Sequence, residues 1–417
     1  MDLVSARQPT WISRLTEEQR STYAGHPGPL AGLRFAIKDN IDLAGLPTTA
    51  GDPRRGTPAQ ESAAVVQRLV DAGAVPVGKT NLDQYATGLV GTRSPYGACH
   101  SVYSADHVSG GSSSGSAIAV AEGLVDFALG TDTAGSGRVP AAFNGLVGIK
   151  PTRGLVSTRG VVPACQSLDC VTVFARDVTT ARRAYEVMVG FDVADPYSRE
   201  IAQEPLVTGQ PTIGVPAAPL GLDAAHEQAW QQALGHAEML GQVRSVDVGL
   251  LLEVAAMLYS GPWLAERWLA FGTALDDDPA IDPVVREVVR RGKELTAAEA
   301  FAGFTRLAEL ARACDPVWAS VDALLLPVTP GHPTLAEVAA DPVTVNTALG
   351  RFTNMANLLD LCAVAVPGPL RGDGLPFGVQ LLAPAGHDDV LAVLAARWCG
   401  EDVPTGLVRS GPREAAT

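Results

Sequence analysis

A single α/β unit interrupted by a helix-rich middle is the fold class that this 417-residue sequence predicts. Three observations lead there. Residues 33–37 and 74–77 are short apolar runs, and between them Val65, Val66, Leu69 and Val70 recur at helical spacing. A strand–helix–strand succession of this length implies a parallel pair joined by a right-handed crossover. From about residue 220 to 320 helix-length segments dominate, and apolar runs of strand length resume after them. Length alone suggests two or three domains. Strands on both sides of the helical section instead imply one unit without separable domains.

The elements follow in order. Residues 1–30 show little apolar periodicity and end in Gly25-His26-Pro27-Gly28-Pro29, an N-terminal arm that Trp11 and Ile12 dock on the body. The run 33–37 lies between Gly32 and Lys38-Asp39-Asn40, a buried strand with polar groups at its exit. Ser62 is placed to cap the next helix, which Gly73 ends. Strand 74–77 leads through Gly78 into Lys79-Thr80-Asn81.

Residues 108–151 hold nine glycines and eight Ser or Thr hydroxyls, yet apolar runs interrupt them, unlike a flexible linker. Ala117, Ile118, Val120, Ala121 and Leu124 form a helical pattern there, and 125–129 a short buried strand. A Gly-punctuated section to about Val173 precedes a helix over 179–189. Residues 190–211, polar and Pro-containing, are the best candidate for a boundary. A strand restarts at 212–215, and helices are expected at 222–241, 250–272, 283–294 and 297–318. Strand 323–328, a helix near 345–361, strands 363–366 and 377–382, and a helix over 388–399 complete the chain. No internal repeat is found.

Composition excludes several classes. Lys and Arg total 31 against 45 Asp and Glu, a net charge of −14 that disfavours nucleic acid and anionic membranes as partners. The six cysteines form no CxxC pair and no CxxC…H pattern, so they read as reduced, buried thiols and not as zinc ligands. Neither a charged-then-apolar leader nor a run of eighteen apolar residues is found, which predicts a soluble, cytoplasmic protein.

Two serine-bearing glycine loops flank the helix–strand unit of 108–151, an arrangement that brings the loops together as an active site. Lys38 sits at the carboxyl end of a buried strand, where open α/β sheets place function. It is one of only four lysines in the chain. A buried lysine can lose its proton and act as a base, which arginine cannot. Gly111-Ser112-Ser113-Ser114-Gly115 also fits the G-x-S-x-G elbow with Ser113 as nucleophile. That motif needs a hydrophobic strand just upstream and a histidine partner, and only His100 and His107 lie nearby. A phosphate cradle is a further alternative, without the G-x-x-x-x-G-K-[ST] pattern. In the second loop, Thr133-Ala134-Gly135-Ser136 can turn successive N–H groups toward one point beside a hydroxyl, an oxyanion hole and nucleophile in one turn. Asp132 and Arg138 bracket that loop and are expected to pair and hold it.

With these residues in view, 108–151 resembles the signature segment of the amidase signature family, which uses a Ser-Ser-Lys triad. The likeness runs from about Leu30 to Pro384. It implies a large twisted mixed β-sheet covered by helices on both faces, in one domain spanning 1–417. Carried over position by position, the base is Lys38, the bridging serine held by a cis peptide is Ser112, and the nucleophile is Ser136. The backbone N–H groups of Thr133, Ala134, Gly135 and Ser136 would stabilise the oxyanion, and Ser113, Asp132 and Arg138 would support the loops. Neutral Lys38 would take a proton from Ser112, and Ser112 from Ser136, which attacks the amide carbonyl to give an acyl-enzyme. The resemblance implies no metal and no organic cofactor.

Within the family the wording is most similar to the allophanate hydrolase branch. The phrases are Lys79-Thr80-Asn81-Leu82-Asp83-Gln84-Tyr85-Ala86-Thr87-Gly88-Leu89-Val90-Gly91-Thr92-Arg93-Ser94 and Tyr259-Ser260-Gly261-Pro262-Trp263-Leu264-Ala265-Glu266-Arg267. Ala134-Gly135-Ser136-Gly137-Arg138 stands where other members have Gly-Gly-Ser-Ile-Arg. Tyr259, Arg267 and Gly88 are thereby expected to contact substrate, with the planar guanidinium clamping a carboxylate. The expected reaction turns allophanate into N-carboxycarbamate and ammonia, in nitrogen metabolism and urea degradation. A homodimer and a functional link to a urea carboxylase are implied by analogy. The chain stops short of the C-terminal domain common in that branch, so the following decarboxylation is expected to fall to another protein or to proceed spontaneously. Three other functions remain open: an amidase of the same family for a related small amide, the glutaminase subunit of a tRNA-dependent amidotransferase, and a binder that keeps the core without catalysis.

Overall fold

The structure, a computed structural model, describes residues 8–205, 209–276 and 278–402. The start of the N-terminal arm, residues 206–208 of the boundary segment and the tail from 403 lie outside the described residues. Thirteen strands are present among them: β1 (Trp11–Arg14), β2 (Arg34–Lys38), β3 (Val75–Thr80), β4 (His100–Ser101), β5 (Ser104–Val108), β6 (Phe127–Asp132), β7 (Val147–Lys150), β8 (Cys170–Ala175), β9 (Thr212–Pro216), β10 (Gln242–Val246), β11 (Ala323–Pro327), β12 (Cys362–Pro367) and β13 (Gly378–Ala383). Eleven join one mixed sheet in the order β1-β3-β2-β6-β8-β7-β12-β13-β11-β9-β10, and β4 and β5 form a separate hairpin.

The expected crossover is present: β2 and β3 are parallel, joined through the helix Ala64–Asp71, which buries Val65, Val66, Leu69 and Val70. Ser62 does not cap that helix. Its hydroxyl accepts from the Ala44 N–H instead, and the cap position falls to Ala63, which offers no side-chain acceptor. β2 also pairs in parallel with β6, so Lys38 and Asp132 leave the sheet at the same edge. Residues 125–129 prove to be the entry and first half of β6, which continues three residues further into the glycine loop.

The helical section differs from expectation in detail. The segment 250–272 is two helices, Gly249–Ser260 and Trp263–Phe271, broken where Pro262 lacks an amide donor and restricts its predecessor. The segment 222–241 ends earlier, at Ala237, before the edge strand β10. Residues 345–361 divide into Thr344–Leu349 and Asn354–Leu358, whereas Asp388–Cys399 matches its expected bounds. Trp11 and Ile12 do dock the arm, as part of β1, antiparallel to β3. The main core runs from Phe35 and Phe127 through Val173 and Val364 to Leu381 and Leu391 and takes in Leu251, Val254 and Leu258 of the helical section, whereas Phe271, Leu275, Ile281, Val285 and Val289 pack with Ala50 and Tyr85 in a second cluster. Among the described residues no helix is long and apolar enough to cross a membrane.

Candidate active site

Lys38 ends β2, and its side chain is fully buried. Its Nζ donates to Ser112 Oγ at 2.7 Å and to Thr131 Oγ1 at 2.8 Å. Burial pulls its pKa from the ordinary 10.5 down to about 7, although Asp83, Asp169 and Asp132 all draw it back up. Desolvation therefore outweighs three nearby carboxylates, and a neutral amine is accessible near neutral pH.

Ser112 follows a cis peptide bond with Gly111, and its carbonyl accepts from the Asp83 N–H at 3.0 Å. A Cβ on Gly111 would lie 2.0 Å from Asp83 Oδ2, so the approach of this backbone to Asp83 requires glycine. Asp83 in turn accepts from the N–H groups of Gly91 and Arg93 at 3.0 and 2.9 Å. Ser113, the elbow alternative, points away from the loop cluster. Its hydroxyl donates to the Thr131 carbonyl, while His100 and His107 bond to Ser101 and Ser104. The elbow is thus excluded by geometry, and Ser113 supports β6.

Ser136 lies in the loop after β6, only 3% exposed, with Oγ 3.5 Å from the Gly88 carbonyl that accepts from it. No hydrogen bond joins it to Ser112 among the described residues. Asp132 organises this loop. Its carboxylate accepts from the N–H groups of Gly135 and Gly137 at 2.8 and 3.0 Å, and from Arg138 Nε and Nη2 at 2.9 and 3.0 Å. Burial alone would raise the Asp132 pKa, but the Arg138 guanidinium overrides it and holds the carboxyl below its usual range. Gly135 is therefore a correction to the expected oxyanion donors: its N–H is committed to Asp132. The N–H groups of Thr133, Ala134 and Ser136 have no acceptor among the described residues. Gly135 also has φ +135°, and a Cβ there would meet Thr353 Oγ1 at 2.4 Å.

The helical section supplies the other wall. Arg267 is buried in the helix Trp263–Phe271, its guanidinium 5.6 Å from the ring centroid of half-buried Tyr259. Nη1 donates to Thr87 Oγ1 at 3.3 Å, and Nε is buried without a hydrogen-bond partner. Thr87 precedes Gly88, so one dipeptide touches both the guanidinium and the Ser136 hydroxyl. Just before it, Tyr85 and Ala86 hold left-handed φ values of 51° and 52°, which non-glycine residues adopt only when their surroundings impose them. Tyr85 Oη donates to Asp52 at 2.7 Å, and its N–H to the Ala50 carbonyl at 2.7 Å.

Two groups of candidate residues result: Lys38 with Ser112, and Ser136 with Gly88, whose neighbour Thr87 meets Arg267 beside Tyr259. Sequence reasoning missed Thr131, Asp83, Thr87 and Asp169, which hold these groups in place. Asp83 and Thr87 lie inside the phrase 79–94, where nothing local marks them out from their neighbours. Asp169, the last residue before β8, carries no local signal at all.

A mixed sheet that carries a buried lysine and serine-bearing glycine loops at one edge fits an amide-cleaving class of enzyme. The comparisons agree: the sequence pattern described as Amidase matches residues 4–392, and the chain belongs to that family, as an amidohydrolase acting on amides. More particularly, it is 43% identical over 412 residues to the urea amidolyase of Saccharomyces cerevisiae, covering 95% of this chain and 22% of that protein. It superposes on the Kluyveromyces lactis allophanate hydrolase with a TM-score of 0.90 at 42% identity, covering 94% of this chain and 66% of that one. A glutamyl-tRNA(Gln) amidotransferase component of Symbiobacterium thermophilum is 35% identical over 413 residues, covering 90% of this chain and 83% of that one. The chain therefore spans under a quarter of the yeast urea amidolyase's length.

Proposed function

We propose that this protein hydrolyses allophanate to N-carboxycarbamate and ammonia through a Ser-Ser-Lys triad. The observation that carries the reading is the Thr87-Gly88 dipeptide, with Arg267 on one residue and the Ser136 hydroxyl on the next. A carboxylate clamped by the guanidinium must then lie only a few bonds from the carbonyl that Ser136 attacks. Allophanate has that size and charge. The likeness to a Kluyveromyces lactis allophanate hydrolase supports it.

In this reading neutral Lys38 accepts the proton of Ser112 as Ser112 takes that of Ser136, and Ser136 Oγ bonds to the terminal amide carbon. The N–H groups of Thr133, Ala134 and Ser136 stabilise the oxyanion. The C–N bond breaks, the relay protonates the leaving amine as ammonia, and water cleaves the acyl-enzyme by the same path. Ser112 and Ser136 must approach each other for this step, closing a contact that the structure leaves open. We further place the protein in the cytoplasm as a homodimer of one amidase domain, linked in urea degradation to a urea carboxylase.

Ammonia release from allophanate, biuret, malonamate and glutamine is the deciding assay. Allophanate is expected to be the preferred substrate, and Ser136→Ala to abolish its turnover with circular dichroism unchanged. Preferred turnover of glutamine would assign the amidotransferase activity instead, and undiminished turnover by Ser136→Ala would remove the nucleophile.

A further inference from the structure

The turn of residues 164–169, between the second glycine loop and the helical section, is held at one end by its own Asp169 and at the other by Glu266, two carboxylates outside the proposed proton relay. On one side Asp169, buried, accepts from the Thr133 hydroxyl and from the N–H groups of Ala164 and Cys165 at 2.8 and 3.1 Å. On the other side Glu266 accepts from the Ser167 N–H at 2.7 Å, the Ser167 hydroxyl at 2.6 Å and the Cys165 thiol at 2.8 Å. Glu266 precedes Arg267 in one helix, and neighbours at i and i+1 face different ways. The carboxylate therefore goes to the turn while the guanidinium faces Tyr259 and Thr87. Within the turn, the Leu168 and Asp169 N–H groups both donate to the Cys165 carbonyl at 2.9 Å, which makes it one stiff piece. Asn357 braces it by donating to the Leu168 carbonyl at 3.0 Å and the Asp132 carbonyl at 2.8 Å.

We propose that Glu266 and Asp169 are positioning residues: they clamp this turn as a strut that fixes the distance between the Arg267 guanidinium and the Thr133–Ser136 loop. The inference rests on the allophanate reading, since a fixed spacing matters for a substrate that must bridge both groups. A misplacement of about 1 Å in such a site costs up to roughly a hundredfold in rate.

The test uses the full chain with Glu266→Ala, Glu266→Gln, Asp169→Asn and the double variant Glu266→Ala/Asp169→Asn. Four quantities are read: kcat and KM for allophanate, the rate at which an uncharged fluorophosphonate modifies Ser136, and the protection that malonate gives against it. Glu266→Ala is expected to raise KM and weaken malonate protection about tenfold while phosphonylation stays within about twofold. Asp169→Asn is expected to lower kcat and phosphonylation about tenfold, because the Thr133 end is loosened. Glu266→Gln keeps one acceptor oxygen and should recover part of the lost protection, and it carries the test if the alanine variant does not fold. The double variant should fall short of the product of the single effects. Equal loss in the anionic and uncharged readouts for Glu266→Ala, unchanged malonate protection, or strictly multiplicative effects overturns the strut. Failure of the unaltered protein to turn over allophanate overturns the functional reading alone, since phosphonylation and malonate protection still judge the strut.

Discussion

In the proposed mechanism Lys38 is the base, so its ionisation sets the expected pH dependence. Burial brings its pKa down to about 7, and the base is active only when neutral. kcat/KM for allophanate is therefore expected to be flat above about pH 7 and to fall about tenfold per unit below it, as the ammonium form takes over. A profile with no limb near pH 7 contradicts Lys38 as the base. Asp169 is one of the carboxylates that raise the Lys38 pKa, so Asp169→Asn should move this limb to lower pH. Lys38→Arg keeps the positive charge but cannot deprotonate, and a loss of about 10²–10⁴-fold in kcat is expected with the fold retained. Lys38 was legible because it stands at a strand exit in a chain that writes most cations as arginine. Thr131, its second partner, was not: a threonine inside an apolar strand has no feature that separates a packing residue from a hydrogen-bonding one.

At the scale of elements, the loop after β6 is held by one buried ion pair. Arg138 Nη1 donates to Gln380 on β13 at 2.9 Å, and Nη2 to Asn357 at 3.2 Å, besides the bonds to Asp132. Arg138→Ala leaves Asp132 buried without its counter-charge, and should cost about 3–5 kcal/mol of stability by urea unfolding. Gly135→Ala should abolish activity for a different reason, because a Cβ would strike Thr353 Oγ1 in a left-handed backbone. A fully active Gly135→Ala protein would show that the loop is looser than its contacts imply. Sequence pattern found most of the buried elements, but it missed the inner strands β7 and β8, which are buried throughout yet lie in a stretch broken by glycines, and it missed the edges. β10 is exposed along four of its five residues and β1 has no fully buried one, so neither bears the continuous apolar run of an inner strand. The Gly261-Pro262 break was written in the sequence, yet apolar spacing on both sides hid it.

For the whole molecule, docking of the last helix depends on contacts between distant parts of the chain. Asp388, at the start of the last helix, accepts from the Thr152 N–H at 2.8 Å and the Thr152 hydroxyl at 2.6 Å. The same hydroxyl accepts from the Gly386 N–H at 3.0 Å. Asp388→Ala should leave these buried donors unpaired and lower stability by about 1–3 kcal/mol in urea unfolding. The pH limb near 7 should not move, since Asp388 is not among the groups acting on Lys38. A shifted limb would mean that the helix is coupled to the site.

The sequence alone determined the α/β class and the crossover between β2 and β3, and it singled out Lys38, Ser112, Ser136, Tyr259 and Arg267 as candidates. Those features depend on local periodicity, on glycine spacing, or on phrases short enough to be read in one stretch. The tertiary structure decided that the Gly135 N–H pairs with Asp132, that Ala63 and not Ser62 takes the cap position, and that the Thr87-Gly88 dipeptide links Arg267 to the Ser136 loop. It also decided that Asp169 and Glu266 grip one turn. In each case a donor has several acceptors within reach of its type, and only the packing of segments far apart in the chain selects one.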